Sequence, residues 1–101
     1  MKDLTMASDW RTVQLFLSEE GIAEVQVDSL QKNVARCDCR SYRMKSKCEH
    51  VKYIQKIMES NNGHYTVHIP VEIGDEEAEK AMKDAESFRK FIIKYAKVEV
   101  L

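Results

Sequence analysis

The chain has 101 residues, of which 44% are hydrophobic and 33% charged, and its net charge is −1 at neutral pH. That length and balance fit one folded domain, 1–101, with a modest core. The longest apolar runs are three residues, which excludes a membrane-spanning helix, and three cysteines are an odd number for a disulfide framework.

Met1 to Asp9 reads as a loose start without the apolar centre of an export signal. With its cysteines reduced, the expected location is a reducing compartment, the cytoplasm, or the nucleus in a eukaryote. Trp10 to Ser18 reads as a strand, with Val13, Leu15 and Leu17 on one side and Thr12, Gln14 and Ser18 on the other; only Phe16 breaks the alternation. Glu19-Glu20-Gly21 is a turn, and Ala23, Val25 and Val27 alternate with polar residues in a second strand. Val34 to Cys39 is a third, short strand. A basic loop, Arg40 to Lys47, follows. Val51, Ile54 and Met58 then recur at helical spacing, so a helix runs from near His50 to about Ser60, stopped by Asn61-Asn62-Gly63.

His64 to Ile73 alternates most cleanly, with Tyr65, Val67, Ile69, Val71 and Ile73 on one face; Pro70 confines it to an edge. Gly74-Asp75 opens a long helix capped by Asp75, acidic in its first turn and basic toward its end. Glu76/Lys80, Glu79/Lys83 and Glu86/Lys90 are favourable i,i+4 pairs. Ala78, Ala81, Ala85, Phe88, Ile92 and Tyr95 form its apolar stripe, which covers the helix's own sheet or serves self-association over residues 76–96. Val98 to Leu101 is a final strand. The expected fold is α+β, a small, mostly antiparallel sheet with two helices in the order β-β-β-α-β-α-β. It has a core at 10–60 and a strand-helix-strand extension at 64–101.

All three cysteines lie in one stretch with a histidine: Cys37-x-Cys39, eight residues, Cys48-x-His50. Three thiolates and an imidazole are a standard ligand set for one structural zinc ion, and filling all four positions from the chain leaves none for a catalytic water. Cys37 and Cys39 share a strand face at i, i+2. Side chains at i and i+2 diverge by about 200° inside a helix. Cys48 must therefore sit at the helix entry, with His50 in the first turn. A capping box at Ser46-Lys47-Cys48-Glu49 would instead start the helix at Ser46. Ligand convergence outweighs it, since metal binding is worth on the order of 10 kcal/mol and a cap about 1. The zinc then staples the third strand to the helix. Unrelated cysteines, or a redox Cys-x-Cys pair, would leave Cys48 and His50 as coincidences. His64 and His68, four residues apart on one strand face, read as solvated polar residues rather than a second metal site.

This stretch resembles the SWIM-type zinc finger family, whose signature is Cys-x-Cys, a variable spacer, then Cys-x-His after a β-hairpin and leading into a helix. Cys37, Cys39, Cys48 and His50 stand at the ligand positions, Tyr42 at an aromatic position, and Val51 and Ile54 at apolar ones. The resemblance implies a structural zinc, a ββα core, and binding to DNA or to proteins. Glu49 departs from the Lys or Arg common at its position.

Charge adds an independent reason to expect nucleic acid. Gln31 to Lys56 holds eight basic and two acidic residues, or +6, against −7 for the remainder. Arg40, Arg43, Lys45, Lys47 and Lys52 are candidate phosphate contacts, and Tyr42 a candidate base-stacking ring, with Tyr53 beside them. The plain alternative is a solvated loop whose charges stabilise the thiolates. No catalytic triad, carboxylate cluster or glycine-rich phosphate loop is visible. The expected function is therefore a zinc-binding module for nucleic acid, DNA favoured, and not an enzyme, with no small-molecule substrate and no membrane partner. The other expectation is an adaptor docking on a larger protein through the same loop or the long helix.

Overall fold

The computed structural model describes residues 8–67 and 70–101. Strands β1 (Trp10–Ser18) and β2 (Gly21–Asp28) pair antiparallel. Gly21 has a φ of +117°, which only glycine adopts without strain. A third strand, β3 (Ala35–Cys37), pairs antiparallel with the other edge of β2, so the sheet order is β1-β2-β3. Helices α1 (Arg40–Lys45), α2 (Glu49–Glu59), α3 (Asp75–Ala81) and α4 (Ala85–Tyr95) follow. The chain is α+β, as its sequence leads one to expect. Among the described residues no helix is long and apolar enough to cross a membrane.

A bulge explains why Phe16 breaks the alternation of β1. Thr12 pairs with Gln26 but Gln14 pairs with Val25, so Val13 is an extra residue. Beyond it Gln14 and Phe16 share the face of Val25 and Ala23, while Leu15 pairs with Glu24 and Leu17 with Ile22. Val13, Phe16, Ala23, Val25, Val27, Ala35 and Cys37 form a core with Val51, Ile54 and Met58 of α2. Those three helix residues are spaced to lie on one stripe, and burying each such side chain contributes about 1.5–3 kcal/mol. Val13 thus faces α2, not the side of Leu15 and Leu17.

Three expected features take a different form. The basic segment after β3 is a helix, α1. The long C-terminal helix is two helices, because Asp84 caps α4 by accepting a hydrogen bond from the Ser87 N–H at 2.7 Å; Gly74, not Asp75, is the cap residue of α3. Its stripe is consumed within the chain, where Ala81, Phe91 and Ile92 cluster with Ala78, Phe88 and Tyr95. Glu76–Lys80 and Glu86–Lys90 both pair, while Lys83 falls past the end of α3. The strand expected over 64–73 is absent from its described parts, 64–67 and 70–73, whereas His68 and Ile69 lie outside the described residues. Asn61 holds this segment instead, its side-chain N–H donating to the His64 carbonyl and the Thr66 hydroxyl. The edge of β1 is taken by a bridge to Glu99, parallel to Phe16, which is what remains of the expected final strand.

Arg89 of α4 grips Glu24 of β2 with two hydrogen bonds, of 2.8 and 3.0 Å, and the Thr12 hydroxyl donates to the same carboxylate. The Arg89 guanidinium, helped by Thr12, holds the Glu24 carboxyl below its ordinary value of 4.5. A carboxyl lowered by folding stabilises the fold above its unfolded pKa and loses that contribution as pH falls through the folded one. Glu24→Gln should therefore cost about 1 kcal/mol at neutral pH, a modest figure because solvent screens the half-exposed Arg89. The difference from the parent should close as pH drops below 4.5, read as urea midpoints across a pH series.

Candidate metal centre

The Cys/His stretch places four ligand atoms together. One atom each from Cys37, Cys39, Cys48 and His50 lies within 4.8 Å of all the others. Cys37 Sγ and His50 Nδ1 are 3.8 Å apart. A tetrahedral ion with sulfur at about 2.3 Å and nitrogen at about 2.0 Å sets its ligand atoms about 3.5 to 3.8 Å apart. The four residues can hold a metal ion with small side-chain movements, and soft thiolates with one imidazole suit zinc among the common ions.

Each ligand has a defined local origin. Cys37 is the last residue of β3. The strand ends there because Asp38 turns back on β2, its N–H donating to the Glu24 carbonyl at 3.2 Å and its carboxylate accepting from the Glu24 N–H at 2.8 Å. Cys39 therefore lies beyond the strand, and its convergence with Cys37 comes from a turn rather than from the pleat. Cys39 is the N-cap of α1, accepting from the Tyr42 N–H at 3.5 Å. Cys48 is the N-cap of α2, accepting from the Val51 N–H at 3.4 Å, and His50 is the second residue of that helix. Ser46 adopts a φ of 58° and closes α1, so the capping box starting at Ser46 does not form. The Ser41 hydroxyl donates to the Lys47 carbonyl at 2.9 Å and ties the link between the helices.

The third sulfur also has a donor, since the Cys39 N–H points at Cys37 Sγ at 3.4 Å. Three sulfurs thus accept three backbone N–H groups, and at Cys37 and Cys48 these bonds favour the negatively charged form. Burial acts in the opposite direction and pushes the Cys37 and Cys48 thiols up. A cation among the sulfurs resolves that conflict by replacing their protons. Phe16, fully buried, stacks on the His50 ring with centroids 4.9 Å apart and fixes its orientation. Neither the Phe16 contact nor the sulfur–N–H bonds enter a reading by ligand spacing. The signal was there all the same: Tyr42 and Val51 each stand three residues past a cysteine, as the donor to an N-cap does.

The proposed phosphate contacts surround this centre. Arg40, Arg43 and Lys45 lie on α1, Lys47 in the link and Lys52 on α2, and all five are exposed. Among the described residues none of them is in a salt bridge. Tyr42 is half-buried, packs against the core and directs its hydroxyl to the Ala35 carbonyl at 3.5 Å, so its ring anchors α1. Tyr53 is 39% exposed and stands edge-on to Phe16. His64 is exposed, and its expected companion His68 lies outside the described residues. Comparison of the chain with protein-family models, with curated proteins and with solved structures found no match.

Proposed function

We propose that this chain is a zinc-binding module of the SWIM type that binds nucleic acid, DNA favoured, through the basic surface around the ion. The observation that carries the reading is the convergence of three sulfurs and one imidazole on a point flanked by five cations, none of them in a salt bridge among the described residues. The zinc is structural: it joins the end of β3 to the start of α2, and the chain's residues fill its tetrahedron. The module is a binder and not an enzyme. Arg40, Arg43, Lys45, Lys47 and Lys52 contact phosphate, while Tyr42 supports α1 from below and offers a base only the part of its ring left outside the core.

Fluorescence anisotropy with a short duplex tests this directly. Five phosphate contacts should give a slope of log affinity against log salt of about −4 to −5. Replacing Arg43 by Ala should reduce that slope by about 1 without changing sequence preference. Absence of binding at low salt would remove the nucleic-acid reading, and native mass spectrometry without bound zinc would remove the metal.

A further inference from the structure

A groove of about 880 Å³ opens on one side of the metal centre. Its lining joins the end of β1 and its turn, the ligands Cys39, Cys48 and His50, and the segment that bridges β1 at Glu99. Three carboxylates, from Glu19, Glu20 and Glu49, line it, and among the described residues no Lys or Arg does. All three residues are exposed, and among the described residues none is in a salt bridge. Between them lie apolar side chains open to solvent: Leu17 is 50% exposed, Val100 70% and Leu101 53%. An apolar surface edged by unpaired charge of one sign is what a binding groove of opposite charge requires.

We infer that this groove docks an extended segment of a partner protein in which Lys or Arg alternates with apolar residues. The cations pair with Glu19, Glu20 and Glu49, and the apolar side chains cover Leu17, Val100 and Leu101. Extended chain fits because successive side chains of such a segment point to opposite sides, so that its cations and its apolar residues separate onto the two kinds of lining. The three carboxylates repel nucleic acid within the groove itself, while Arg40 and Arg43 line the adjoining hollow that shares Glu20 and Cys39 with it. A second copy of this chain is the poorer fit, because the cations around its metal centre lie mainly on the helices α1 and α2 rather than on extended backbone. The inference rests on the metal reading, since three ligands line the groove, but not on nucleic-acid binding.

The test is isothermal titration of the purified full chain with the peptide acetyl-Lys-Val-Lys-Leu-Lys-Val-Lys-amide, with zinc content measured on the same sample. Binding at one peptide per chain that weakens with salt is expected. The turn variant Glu19→Lys/Glu20→Lys should weaken it by about tenfold or more, Leu17→Ser should weaken it, and Arg40→Ala/Arg43→Ala should leave it unchanged. These positions are exposed, and matching circular dichroism spectra confirm that each variant folds. The inference is overturned if the peptide does not bind, or if a peptide with Glu in place of Lys binds equally well. It is also overturned if Glu19→Lys/Glu20→Lys has no effect, or if that variant merely converts a dimer of the chain to monomer. Zinc content reports on the metal reading separately from all of these outcomes.

Discussion

Cys39→Ser should lose its zinc and with it the cooperative unfolding transition of the domain. The substitution is informative because serine is itself a good helix cap. Its hydroxyl can still accept the Tyr42 N–H that Cys39 Sγ accepts now, so α1 keeps its start and only the metal ligand disappears. A structural zinc contributes on the order of 10 kcal/mol, and a whole domain is stable by about 5 to 15 kcal/mol. Removing one ligand in four therefore consumes most of what holds the fold. Zinc per chain by mass spectrometry and thermal melting by circular dichroism, with and without chelator, give the result. A variant that retains one ion and an unchanged melting temperature would show that the four side chains meet for another reason.

Phe16→Ala should destabilise the chain by about 3 to 5 kcal/mol, the cost of emptying a large buried aromatic site. Phe16 is fully buried, and its ring meets His50 at a tilt of 31° and Tyr53 edge-on, with centroids 4.9 and 5.8 Å away. Its loss should therefore also weaken zinc retention, because the imidazole gains rotational freedom it must surrender on binding. Met58→Ala provides the control, since Met58 belongs to the same core at the far end of α2. It should cost about 2 to 5 kcal/mol while leaving metal affinity closer to that of the parent. Urea unfolding gives the stability and competition with a chelator gives the affinity. If the two variants lose metal affinity in equal measure, the Phe16 ring acts on stability alone.

Where one local rule decided the outcome, the sequence was legible. Alternation and Gly21 defined the hairpin. The spacing of Val51, Ile54 and Met58 gave the face of α2, and the demand that four ligands meet placed Cys48 at the entry of that helix ahead of a competing cap. The departures arise where two rules compete. Arg40 to Lys45 reads as a loop because its charge hides a helix that begins on a sulfur, and cysteine is not among the usual capping residues. Asp84 was read as one more residue of a long helix, although Asp in that position can start a new one. Tyr65, Val67 and Ile73 do turn inward as the alternation over 64–73 implies, but Val71 is 96% exposed. A strand needs an edge to pair with, and Glu99 occupies that of β1. Strand β1 hid its bulge because one inserted residue restores alternation on either side of it.

Cys48 is the N-cap of α2 and, on the proposed reading, also a metal ligand, which would tie the rotational phase of that helix to the ion. Each residue advances an α-helix by about 100°, so a slip of one position would carry Val51, Ile54 and Met58 off the sheet and bring charged neighbours onto it. Ordinary helices resist such slippage only through the packing of their side chains. Here a coordinate bond made before the core closes would index the helix from its first turn, so an ion bound there would both join two elements and select which stripe of α2 becomes interior.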